Sequence, residues 1–115
     1  MIQREETNMS YGGNEDNYIL ASLEAATTVS EVLDVLQQWY SWGNYDGTGA
    51  QILTKLGDIG QGDSAAIAAL SKSSMGNIAK TRFAAQNALS SLAQKGDLLA
   101  SEALDESLAY WKQKS

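Results

Sequence analysis

Apolar residues recur every three or four positions along most of this chain, which is the spacing of one face of an α-helix. Ile19, Leu20, Leu23 and Ala26 fall on one side of a helix over about 16–26. A second helix starts at Thr28, where Thr28-Val-Ser-Glu31 has the form of a capping box. Val32, Leu33, Val35, Leu36, Trp39 and Tyr40 give it a broad apolar face, and Gly43 supplies a stop. The third runs over about 48–58 with Ile52, Leu53, Leu56 and Ile59. Asp63 caps a fourth at about 64–73, carrying Ala66, Ile67 and Leu70. The fifth, at about 78–94, carries Phe83, Ala84, Leu89 and Leu92. Asp97 caps a sixth at about 98–113, with Leu99, Leu104, Leu108 and Trp111. Gly57, Gly60, Gly62, Gly76 and Gly96 punctuate the joints. Strand-like alternation of β-branched residues is scarce. Residues 1–15 are rich in Glu, Asn and Gly and poor in branched aliphatics, so they read as a disordered acidic N-terminal tail. Residues 16–115 read as a single helical domain.

The pattern also repeats. LGDIGQGDSAAIAAL, starting at Leu56, aligns with LSSLAQKGDLLASEAL, starting at Leu89, with one residue inserted. Leu56 matches Leu89, Gln61 matches Gln94, and Gly62-Asp63 matches Gly96-Asp97. Ala66, Ala69 and Leu70 match Ala100, Ala103 and Leu104, so the period is 33 to 34 residues. A divergent earlier copy at 23–36 lacks the Gly-Asp turn and has the Thr28 box instead. Each unit is a helix, a tight turn and a second helix. One such hairpin cannot bury its own apolar stripe, but stacked neighbours can. The expected fold is therefore all-α, with about three stacked antiparallel helical hairpins in a short α-solenoid.

The strings LGDIGQGDSAAIAAL, TRFAAQNALSSLAQKGD and LLASEALDESL resemble HEAT-like repeats of the short kind found in phycobilisome-lyase-type proteins. The resemblance covers about residues 48–112. It departs from the family in having no Pro near the turns or between units. It implies a scaffold or adaptor role. Some members of that family attach or detach bilins in light-harvesting complexes, but the resemblance assigns no catalytic residue here.

Composition narrows the chemistry. The chain of 115 residues has no Cys and no His. The usual ligands of zinc, haem and iron–sulfur centres are therefore missing, as is the commonest general base. The expectation is no metal, no cofactor and no catalysis. Glu102, Asp105 and Glu106 read as a solvated helix face, and no phosphate-binding glycine loop follows a strand. The polar N-terminus has no apolar signal core, and no apolar run spans a bilayer. The expected setting is cytoplasmic, without membrane contact.

The net charge is −6. Residues 1–58 carry nine acids and two bases, whereas residues 59–115 carry five acids and six bases. This balance disfavours phosphate; the acidic half serves solubility, or attracts a protein partner with a basic surface.

Residues 39–49, WYSWGNYDGTG, set four of the nine aromatics beside a turn. Trp39 and Tyr40 continue the apolar face of the second helix, so at least one should be core. Trp42 and Tyr45 lie at or past its end, where aromatics make good interface anchors. Trp39, Tyr40, Trp42 and Tyr45 are the candidate partner-binding residues. Tyr110 and Trp111 would close the open end of the stack or join two copies of the chain in a homodimer.

Two other functions are readable. An acidic helical protein could be a phage- or toxin-related inhibitor that blocks a basic surface. Residues 70–98 also resemble a winged helix-turn-helix. Lys72, Lys80, Arg82 and Lys95 supply its charge there, and Gln86 and Asn87 are placed for base edges. That reading needs a strand pair after Gly96, where the pattern instead reads as helix.

Overall fold

The computed structural model describes residues 12–42 and 47–114, without the side chains of 12–17 and 42. It is all-helical, and no strand occurs among the described residues. The helices are α1 (Gly12–Ala25), α2 (Val29–Trp42), α3 (Thr48–Ile59), α4 (Ser64–Ser74), α5 (Ala79–Gln94) and α6 (Leu98–Lys114). Most of the expected acidic tail, residues 1–11, lies outside the described residues, as does the expected stop at Gly43. Residues 12–15 belong to the first turn of α1.

Local chemistry explains several of these boundaries. At α2 the capping box is closed in both directions. The Glu31 amide donates to Thr28 Oγ1 at 3.2 Å, and the Thr28 amide donates to Glu31 Oε1 at 3.1 Å. At α4, Asp63 Oδ1 accepts from the amides of Ala65 and Ala66 at 2.9 and 3.0 Å. At α6, Asp97 Oδ1 accepts from the Ala100 amide at 3.2 Å. The residue before each aspartate is a glycine in the left-handed region, with φ of 74° at Gly62 and 93° at Gly96. The two matched turns therefore share sequence, backbone and cap.

Each helix packs only against neighbours one or two places along the chain, among the described residues. The two-place contacts are α1 with α3, α3 with α5, α2 with α4, and α4 with α6. Side-chain hydrogen bonds follow the same spacing. Tyr40 and Ser73 share a bond of 3.1 Å between hydroxyls 33 residues apart. Ser107 Oγ donates to the Ser74 carbonyl, also 33 residues away, at 3.3 Å. The Gly62 amide donates to Asp97 Oδ2 at 2.7 Å across 35 residues. Lys55 donates to the Leu23 carbonyl across 32.

The core is continuous from Ile19 and Leu23 through Trp39, Ile52, Leu53 and Leu56 to Leu89 and Leu92. Each fully buried aliphatic of this size contributes about 1.5–3 kcal/mol. Gly57 is not a joint, contrary to expectation. It lies inside α3, where a Cβ would come within 2.7 Å of the Ala88 Cβ. Its missing side chain is what lets α3 and α5 approach so closely.

Four residues assigned to buried faces are exposed instead: Ile59 at 37%, Phe83 at 56%, Leu99 at 46% and Leu108 at 52%. For Phe83, Leu99 and Leu108 the reason is the size of the residues that do face inward. α5 buries Thr81, Ala85, Ala88, Leu89 and Leu92. α6 buries Ala100, Ala103 and Ser107, a stripe of small residues that brings its backbone close to its neighbours. Leu98, Leu99 and Leu108 of α6 are left exposed, whereas Leu104 still packs against the core.

Candidate functional site

The four aromatic candidates separate. Trp39 is 2% exposed and belongs to the core, with its ring lying where any side chain at Gly49 would sit. It offers no surface to a partner. Tyr40, next to it, is half-buried, its ring tilted 60° to that of Trp39 at 5.0 Å. The Trp42 side chain and Tyr45 lie outside the described residues.

Tyr40 leads to a feature that the helical pattern did not reveal. A cleft of about 810 Å³ opens between α2, α4 and the α4–α5 connection. Leu33, Leu36 and Tyr40 form one wall; Ala69, Ser73 and Ile78 form the other. The Tyr40–Ser73 bond joins these walls. The volume and the mainly apolar lining, with a few polar groups at its margin, suit a bound side chain or small ligand. A second cleft, of about 510 Å³, lies between α4 and α6 and includes Ile67, Leu99, Glu102 and Glu106. Lys72 lines both.

The opposite side differs. A cleft of about 460 Å³ between α3 and α5 is lined by Thr54, Asp58, Lys80, Phe83, Asn87 and Lys95. Two of the side chains expected to read or grip DNA on α5 are engaged within the protein. The Arg82 guanidinium lies 4.4 Å above the Trp111 ring and 4.9 Å above that of Phe83. Gln86 donates to Ser107 Oγ at 3.4 Å. Residues 98–114, where a wing would have to begin, form α6.

At the C-terminus, Trp111 Nε1 donates to the Ser74 carbonyl at 2.7 Å, and the Tyr110 ring meets Trp111 edge-on at 5.1 Å. Trp111 thus fastens α6 to α4 within the chain. Among the described residues, no group of three or more Asp and Glu side chains is arranged to hold a metal ion. No described helix is long and apolar enough to cross a membrane.

Among the described residues, Glu31 is the one group whose acidity departs from its ordinary value. Its carboxylate accepts from the backbone of Thr27 and Thr28 and from both hydroxyls, and these bonds hold its pKa below the ordinary glutamate value. It is a helix cap and lines neither cleft of the α2–α4–α6 side.

No protein-family model, curated protein or solved structure matches this chain.

Proposed function

We propose that this protein is a small, non-catalytic, cytoplasmic adaptor that binds another protein. In this reading its helices form a short stack of three antiparallel hairpins of the HEAT-like kind. α1, α3 and α5 make one layer, and α2, α4 and α6 make the other. The contacts two places along the chain and the bonds between residues 32 to 35 apart support that arrangement. Stacks of this type use the layer of second helices as an extended recognition surface.

The observation that carries the reading is the α2–α4 cleft. It is apolar and open, and Tyr40, an aromatic with a polar tip, stands at its wall. A partner side chain docked there would bury apolar surface that the hairpins leave uncovered.

The test is capture of partners from the native host on immobilised protein, with mass spectrometry to identify them and a direct titration against the purified partner. Leu33→Glu places a charge in the cleft wall, and Trp42→Ala/Tyr45→Ala removes the aromatic joint. Circular dichroism establishes that both variants fold. Loss of the partner with Leu33→Glu supports the cleft. Loss only with the double variant moves the site to the joint at 42–45. Retention by both folded variants removes the proposal.

A further inference from the structure

The charges along the α2–α4–α6 side follow an order that describes a partner. Lys72 is the only charged side chain lining the α2–α4 cleft among the described residues. It is exposed, and within the described residues its ammonium has no hydrogen bond or ion pair. Beyond it, across the α4–α6 cleft, stand Glu102 and Glu106, one helical turn apart on α6. From α2 towards α6 the surface therefore runs apolar, then cationic, then anionic.

We propose that the occupant of this surface is a peptide segment of another protein with the complementary order: an apolar side chain with an Asp or Glu beside it, then a Lys or Arg. The inference rests on the reading of this side as the binding surface. The apolar side chain enters the α2–α4 cleft, the carboxylate meets Lys72, and the basic residue meets Glu102 and Glu106. Neighbouring helix axes lie about 8–10 Å apart. The two charged residues of the partner are then separated by about three residues of extended chain.

Charge complementarity selects this occupant. A phosphate backbone would be repelled by the two glutamates. An uncharged apolar peptide would fill the cleft but offer no complementary group to Lys72, Glu102 or Glu106. Exposed pairs of this kind add modest affinity but set register and specificity, because the wrong order places like charges together.

The experiment is selection from a random peptide library displayed on phage. The baits are the full chain, Lys72→Glu and Glu102→Lys/Glu106→Lys, each checked for helicity; all three positions are exposed. The wild type should enrich peptides with an apolar residue, an acid and a base in the stated order. Lys72→Glu should replace the acid with Lys or Arg, and the α6 variant should replace the base with Asp or Glu. A synthetic peptide of the wild-type consensus should bind Lys72→Glu about tenfold more weakly by fluorescence polarisation. Enriched peptides without the acid, or an acid retained with Lys72→Glu, overturn the charge order while leaving the cleft as the site. Peptides that bind Leu33→Glu as well as wild type overturn both readings. Absence of enrichment overturns the inference, as does a dimer in sedimentation that Leu33→Glu dissolves, which would assign the surface to a second copy of the chain.

Discussion

The turns at Gly62-Asp63 and Gly96-Asp97 have the same two residues and the same left-handed glycine, yet the two aspartates hold different partners. Asp63 is spent locally, with one oxygen accepting two amides at the start of its own helix. Asp97 divides its oxygens. Oδ1 caps α6, and Oδ2 takes the amide of Gly62 in the preceding turn. Asp97 is accordingly the more buried of the two. The difference arises at the α1–α2 turn. Thirty-five residues before Asp63, where a matching donor would stand, is Thr28, whose amide is already taken by Glu31. The capping box that stands in place of a Gly-Asp turn between α1 and α2 also removes the donor for a tie to the α3–α4 turn. One motif therefore does two jobs at one turn and a single job at the other, and the reason lies at Thr28.

The largest expected effect comes from removing both jobs at once. Asp97→Ala should cost about 2–3 kcal/mol in urea denaturation, the sum of a lost cap and a lost charge-assisted hydrogen bond. Asp63→Ala should cost about 1 kcal/mol, for the cap alone. Equal losses would erase the distinction. Gly62→Ala and Gly96→Ala come next. Neither Cβ would meet an atom within 4 Å, so only the left-handed backbone matters, and each should lose about 1–2 kcal/mol. A large inequality between them would mean that the two turns are not equivalent in backbone.

Asp97→Asn separates the jobs. Asn caps a helix as well as Asp does, but its amide group turns a donor towards Gly62. The expected loss is about 1 kcal/mol, assignable to the tie. The smallest effect belongs to Glu31→Gln, because the cap is fully exposed. Its folded-state pKa is lowered, so its contribution is present above the ordinary glutamate range, near about pH 4, and disappears as the pH falls through the folded-state value. The difference in thermal midpoint between wild type and Glu31→Gln should narrow on acidification; a difference that widens would contradict the cap.

The local signals of this fold were legible in the sequence. Thr28 with Glu31, Asp63 and Asp97 each make their cap in the expected place, because these bonds depend on residues three positions apart. The inward faces of α5 and α6 were less so. Hydrophobicity points to Phe83, Leu99 and Leu108, whereas close helix packing selects Ala85, Ala88, Ala100 and Ala103. A pattern weighted by apolarity ranks Leu above Ala, and backbone proximity reverses that order. Gly57 was read as a break for the same reason: its role depends on Ala88 in another helix. Of the candidate site, Tyr40 was anticipated. In the sequence Leu33 reads only as part of an apolar face, Lys72 only as part of a basic stretch, and Ile78 has no role. The cleft arises where α2 meets α4, and its clearest trace in the chain is the 33-residue step from Tyr40 to Ser73.

The claim that Asp97 ties the α5–α6 turn to the α3–α4 turn is tested most directly by amide hydrogen exchange at Gly62. The account predicts that this amide is protected in the wild type and exchanges about tenfold faster in Asp97→Asn, the loss of one such bond, while Ala65 and Ala66 in the same turn keep their protection. Exchange of Gly62 at the open-chain rate in the wild type, or protection unchanged in Asp97→Asn, would contradict it.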